Sequence, residues 1–559
     1  MPARGRLSAA ALVAVAVLAA CTSPDAPGPQ TSPGRAAEPS DAAAGRSDGD
    51  VMRSACALGA PLLQRLRRGF YPGRSPDVVV VPDAPHFFGG FGTTTHSGPW
   101  GYLQRVPLVL YGPGFVRARG AVTLDRPVTL ADVAPTIAAL VGAPWPSSRP
   151  GRPLGEALVP AAERATPPRL VVVVVWDGGG WNVLERWGRA WPNLRGVARG
   201  GTSVRDATVG SSPSVTPAIH ATIGTGAFPD RHGIVDIPLR DGSEMVGSWE
   251  GNRPSYLELP TVADIYDRST GNDAQVAMIA EKGWHLGMLG HGALSRGGDR
   301  DVAVMGGLPG RLYTEPETYS LPAYLQDVPG FEDDVRTVDL EDGKLDSKWL
   351  GHASLENPED TTITPVWSLY QNRLIEALIR REGYGADDVT DLLFTNYKQI
   401  DFIGHAYNMI EPEVGSAVRY SDRALGDLVA FLDEHVGRGR WVIAITADHG
   451  QTPSAESVSA WPINIDEMVA DIARRFSVGA GDLVSDERPG ALWLDHETLS
   501  TERITPEAVA RFLLDYSIAD NMTEGRAAPD LYRERGSERL FATAFPYRWV
   551  QGSWDCDAP

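Results

Sequence analysis

Short unbroken apolar runs rich in Val and Ile recur along the chain: DVVVVPD from Asp77, VPLVLYG from Val106, LVVVVVWD from Leu170, QVAMIA from Gln275, DLLFTN from Asp391 and WVIAITAD from Trp441. Longer stretches with apolar residues at helical spacing separate them. A strand that is apolar on both faces belongs to a sheet covered on both, so this alternation predicts an α/β fold with a mainly parallel central sheet and helices on both faces. Two helices are legible in detail. One opens on the capping pair Thr129 and Asp132, buries Val133, Ile137, Leu140 and Val141, and stops at Gly142. The other runs roughly from Ser416 to Val436, turns Leu425, Leu428, Val429 and Leu432 inward, and ends at Gly437.

The two ends of the chain depart from this pattern. MPARGRLSAAALVAVAVLAAC carries Arg4 and Arg6, an apolar stretch from Leu7 to Ala20, and then Cys21. That apolar length suits a signal-peptide core and is short for a membrane span. LAAC, ending at Cys21, is similar to the lipobox of bacterial lipoproteins, in which the cysteine is lipidated. Residues 1–21 are thus expected to be a lipoprotein signal peptide, and the protein to be exported and anchored to a membrane by lipid; a plain secretory signal is the alternative. Residues 22–50 are Pro, Ser, Ala and Gly with almost no large apolar side chain. They cannot bury enough surface to offset ordering entropy, which predicts a disordered tether. A formal charge of −20, with no basic run beyond LQRLRRG from Leu63, argues against binding to a nucleic-acid backbone, and no nucleic-acid partner is expected.

In open α/β sheets ligands sit beyond the carboxyl ends of the strands. Asp177 follows one such strand, Asp448 and His449 another, and Asp401 and His405 come shortly after a third. Taken singly each could be a turn residue or a helix cap. Three strand ends supplying this mixture point instead to a metal centre, for which carboxylate and imidazole suit Zn²⁺, with Mn²⁺ or other divalent ions possible. Five such side chains exceed the needs of one four-coordinate ion and suggest two. Between these strand ends, Thr216 and Pro217 read as N-cap and first residue of a helix. The Thr216 hydroxyl would then stand at the positive end of that helix, as a nucleophile or as a plain cap.

Taken together, VWDGGG around Asp177, TPAIHATIGTG with FPDRHGI, DFIGH and TADHG resemble the alkaline phosphatase superfamily, most closely its type I phosphodiesterase/nucleotide pyrophosphatase branch. The resemblance implies an alkaline phosphatase-like fold and a hydrolase of small phosphate esters with two Zn²⁺ ions and Thr216 as nucleophile. One ion would be held by Asp177, Asp448, His449 and Thr216. The other would be held by Asp401, His405 and a further histidine, which in the family lies late in the chain, in a Gly/Thr-rich loop before a strand. Here a similar loop and strand, GTTTHSGPWGYLQRVPLVLYGPG, stand early and contain His96. The chain therefore looks circularly permuted: 51–158 would correspond to the family's C-terminal part, 159–169 to a linker, and 170–559 to the main part of the catalytic domain. An independent N-terminal domain is the alternative.

Permutation would leave a seam between the old termini, making Cys56 and Cys556 spatial neighbours. With Cys21 taken by lipid they would form one disulfide, against the alternative of two unrelated thiols. Specificity is less legible. Ile237 stands where phosphodiesterase relatives have an asparagine, so a phosphomonoesterase is an alternative to a diesterase. Lys282 matches a phosphate-contacting lysine of related phosphomonoesterases, but Trp284 replaces the arginine beyond it. His285 and His291 either line the pocket or are ordinary loop histidines. TPAIH lacks the Cys or Ser that a sulfatase requires. A non-catalytic lipoprotein scaffold is the remaining alternative, and the complete ligand set argues against it.

Overall fold

The structure, a computed structural model, describes residues 46–90, 94–164, 166–292, 299–479, 481–523, 530–552, 554 and 556. The signal peptide, Cys21 and most of the expected tether lie outside the described residues.

The central sheet has eight strands: Leu108–Tyr111 (β1), Gly120–Val122 (β2), Leu170–Trp176 (β3), Thr202–Val204 (β4), Val276–Ala280 (β5), Val302–Met305 (β6), Asp391–Tyr397 (β7) and Trp441–Thr446 (β8). Their spatial order is β6-β5-β7-β3-β8-β1-β4-β2. All pairs are parallel except the two that involve β1, which runs against both β8 and β4. Side-chain alternation splits the core into two layers. Val172, Val174, Trp176, Leu393, Ile443 and Ile445 face one layer with the helices Val366–Glu382 and Pro412–Leu432. Val171, Val173, Val175, Phe394, Val442 and Ala444 face the other, with Val133–Val141, Thr216–Thr225 and Val262–Thr270. Strands buried on both faces explain the unbroken apolar runs.

Three expectations need correction. The run from Asp77 forms the strand Val78–Pro82, but in a second, antiparallel sheet, between Ala491–Leu494 and Phe541–Pro546, with Val484–Arg488 beyond. Helices Asp48–Ala57 and Pro506–Leu513 pack with it, so it too is buried on both faces, and periodicity could not tell which sheet it joins. The tether expected through residue 50 gives way to structure by Arg46, which pairs with Asp515, and to a helix from Asp48. Ser47 and Asp50 form the capping box that starts this helix. The long helix before β8 begins at Pro412, earlier than Ser416, and continues through Asp433–Gly437 as a wider turn.

Candidate active site

The strand ends converge as the topology requires. β3 and β8 are neighbours in register, with Val175 opposite Thr446, so Asp177 and Asp448 emerge side by side. β7 leads through Lys398 into the helix Gln399–Tyr407, on which Asp401 and His405 share one face by their i,i+4 spacing. β1 descends beside β8 with Leu108 opposite Thr446, so its beginning lies at the carboxyl end of the parallel strands. The loop ahead of β1 is thereby delivered to the site, and His96 with it. Hydrogen bonds lock that loop in place: Thr94 Oγ1 donates to the Thr452 carbonyl at 2.7 Å, Thr95 N–H to Thr452 Oγ1 at 2.9 Å, and Thr452 N–H to the Thr95 carbonyl at 2.8 Å.

Two side-chain groups result at the strand ends: Asp177, Asp448 and His449 form one, and His96, Asp401 and His405 the other; Asp177 also forms a third with His220 and His285. His449 Nε2 lies 3.4 Å from Asp448 Oδ2 and 3.6 Å from Asp177 Oδ1. Asp401 Oδ1 lies 3.3 Å from His405 Nε2 and 3.8 Å from His96 Nε2. The His96 and His449 rings stack at 3.7 Å and join the two groups, with Asp401 Oδ1 4.0 Å from His449 Nε2. Each imidazole is oriented from behind. Nδ1 donates to the Ser214 carbonyl in His96 (3.0 Å), to the Thr94 carbonyl in His405 (2.9 Å) and to the Gly450 carbonyl in His449 (3.0 Å). All three Nε2 atoms therefore turn towards the carboxylates, the arrangement in which an outer hydrogen bond fixes a metal-binding tautomer. Asp401 Oδ1, Asp448 Oδ2 and His449 Nε2 are buried without a hydrogen-bond partner among the described residues. Buried orphan acceptors of this kind fit a cation.

The helix carrying Thr216 begins one residue earlier than expected. Val215 is its N-cap and Thr216 its first residue, so the hydroxyl caps nothing. Thr216 Oγ1 instead accepts a hydrogen bond from Lys398 Nζ at 3.3 Å. Lys398 also contacts Asp177 Oδ1 at 2.8 Å and Asp401 Oδ2 at 2.7 Å. Gly178, at φ +68°, lets the chain turn directly after Asp177; a Cβ there would lie 2.5 Å from Gln451 Nε2, and its own N–H donates to Asp448 Oδ1.

Three carboxylates in a buried space dominate the electrostatics. Burial and the charge of Asp177 push Asp448 well above the carboxylate range. Burial acts the same way on Asp401, but Lys398 and then His405 hold it well below that range. Burial, with His449 next, keeps His96 neutral; burial alone is outweighed at His405, which Asp401 raises. Lys398 is raised as well, because Asp177, Asp401 and Asp448 outweigh its burial. The site favours positive charge.

The remaining candidates lie nearby or elsewhere. Lys282 sits over the rings of Trp284 and Phe402. His285 is buried beside His220, and neither ring nitrogen has a hydrogen-bond partner among the described residues. His291 is held by Asp264 and the Leu257 carbonyl, a structural role. Cys56 and Cys556 are joined as a disulfide across a separation of 500 residues. Lys398, Asn396 and His220 escaped the reading of the sequence. Asn396 donates to Asp177 Oδ2 and lies 2.9 Å from His220 Nε2, bracing the Asp177 group from behind. The overlooked signal was a lysine directly after an apolar strand, where its charge had to be buried.

The profile of the type I phosphodiesterase/nucleotide pyrophosphatase family matches residues 171–536. Alkaline phosphatase PafA of Elizabethkingia meningoseptica is 21% identical over 433 residues, covering 68% of this chain and 77% of its own. Alkaline phosphatase PhoV of Synechococcus elongatus is 22% identical over 342 residues, covering 51% and 59%. The crystal structure of a multiple mutant of PafA superposes with a TM-score of 0.50 at 19% identity, over 68% of this chain and 84% of that one, which supports the fold. The chain belongs to the type I phosphodiesterase/nucleotide pyrophosphatase family of the alkaline phosphatase superfamily, and is a phosphoric ester hydrolase.

Proposed function

We propose that the chain hydrolyses small phosphate esters through a phosphothreonine on Thr216, with two divalent ions in the paired groups. Asp177, Asp448, His449 and Thr216 would hold one ion, and Asp401, His405 and His96 the other. The observation that carries this reading is the shared orientation of His96, His405 and His449, each with Nδ1 on a backbone carbonyl and Nε2 facing orphaned carboxylate oxygens. A mixed nitrogen and oxygen donor set suits Zn²⁺. Bound there, such ions lower the pKa of a hydroxyl and stabilise charge on entering and leaving oxygens.

Thr216 loses its proton to solvent, and its Oγ attacks phosphorus as the bond to the leaving oxygen breaks. The leaving alkoxide keeps that electron pair and takes a proton from water. A water molecule then attacks the phosphothreonine; the P–Oγ bond breaks, Oγ regains a proton, and phosphate or a phosphomonoester departs.

The purified protein is expected to carry about two zinc ions per chain by elemental analysis, and chelation should abolish hydrolysis of p-nitrophenyl esters until zinc is returned. Thr216→Ala should keep the metal while turnover falls by ~10³-fold or more. Near-wild-type turnover in that variant, or undiminished activity without metal, would sink the reading.

The order of the blocks supports circular permutation. β1, from the early block, is an internal strand beside β8, and the Cys56–Cys556 bond ties the two ends together. A re-permuted chain, opened within 159–169 and joined from Cys556 to residue 51, should fold and keep its activity. Export with lipidation at Cys21 is the matching proposal for localisation, and a disulfide suits an oxidising compartment. Labelling with a radioactive fatty acid should be lost in Cys21→Ser; retained label would refute lipidation at that residue.

A further inference from the structure

Lys398 is the only side-chain ammonium contacting both groups among the described residues, and no expected ligand set includes it. Resting on the phosphate-ester reading above, we propose that Lys398 is a third cationic element of the phosphoryl site, which binds the transferring group and biases the enzyme towards phosphate monoesters.

Three observations carry this. First, the ammonium is 3.3 Å from Thr216 Oγ1, the atom that would become bonded to phosphorus. A donor that close to Oγ is within hydrogen-bond reach of the non-bridging oxygens that phosphorus brings with it. Second, its place is compatible with occupied metal groups. Asp401 gives Oδ2 to Lys398 while its orphaned Oδ1 faces His405 and His96. Asp177 gives Oδ1 to Lys398 and Oδ2 to Asn396, and a carboxylate oxygen has a second lone pair for an ion. Third, the position is rigid: Lys398 lies in the turn between β7 and the helix of Asp401, 2% exposed, with its ammonium over the Phe402 ring.

The chemistry follows from charge. A monoester reaches the site as a dianion and a diester as a monoanion, so an extra fixed cation in a buried site favours the monoester. Lysine supplies this as a point charge with three rotatable donors, able to leave Oγ for a phosphoryl oxygen as the new bond forms.

The test uses the full-length, zinc-loaded protein and its Lys398→Met variant, with p-nitrophenyl phosphate and bis-p-nitrophenyl phosphate. The variant is expected to keep both ions and the wild-type melting temperature. Its kcat/KM should fall about a hundredfold for the monoester and at most about tenfold for the diester. Inorganic phosphate, a product-like dianion, should inhibit it at least about tenfold more weakly. Equal losses on both esters with phosphate inhibition unchanged, or no loss at all, would overturn the proposal. Loss of an ion would assign Lys398 to holding the carboxylates and would also overturn it. If the methionine variant misfolds, Lys398→Gln is read by the same criteria. Failure of the wild type to hydrolyse either ester would refute the functional reading itself, an outcome that the variant comparison does not mimic.

Discussion

The two halves of the site contain the same kinds of side chain yet are built differently. Asp177, Asp448 and His449 are fully buried, and adjacent parallel strands in register set their spacing. In the other half the His96 and His405 side chains are 13% and 26% exposed, and the group is assembled from one helix and one loop belonging to a distant part of the chain. Backbone ladders fix the first group, whereas a few loop hydrogen bonds fix the second. The first is the rigid anchor of the site, and the second is the face open to solvent.

The sharpest way to break this contrast is to remove one ligand from each half. Asp448→Asn is expected to abolish measurable hydrolysis, because a buried group loses its charge with no water to replace it. His96→Ala should lower zinc content from two towards one and cut activity by ~10²-fold, with partial recovery in added imidazole. Equal effects, or metal loss confined to the wrong half, would show the two groups to be a single unit. A smaller change probes the loop alone: Thr452→Ala removes the one hydrogen bond that its side chain makes to the loop, accepted from Thr95 N–H, and none to a ligand. It should weaken retention of one ion by about tenfold, the scale of outer-shell losses, as read by zinc release to a chelator. Wild-type release would place the rigidity elsewhere.

The smallest expected effect on catalysis comes from Cys56→Ser with Cys556→Ser. The bond lies outside the site, so kcat should stay within about twofold, while stability falls by about 2–5 kcal/mol in denaturant titration. Unchanged stability would mean that the bond adds nothing to the packing of the second sheet.

Sequence pattern revealed one half of the site better than the other, for the same structural reason. Asp177, Asp448 and His449 follow apolar strands directly, so strand periodicity alone marks them. His96 has no local signal; it became legible only through the likeness of its loop and strand to a family segment, because its neighbours are more than 300 residues away. The direction of β1 was not legible, since an apolar strand buried on both faces reads the same whichever way it runs. The sheet joined by Val78–Pro82 was hidden likewise. Lys398 was missed because a single lysine carries no period, and only the assembled site shows three oxygens around it.

The reversed strand β1 also bears on where this chain can be divided. The family profile spans 171–536, and a fragment cut to those limits would lack both the His96 loop and β1. The flank of β8 would then be bare, presenting Ile443 to Thr446 as an unpaired apolar margin of the kind that recruits strands from other molecules. Such a fragment should precipitate or associate as well as lose a ligand.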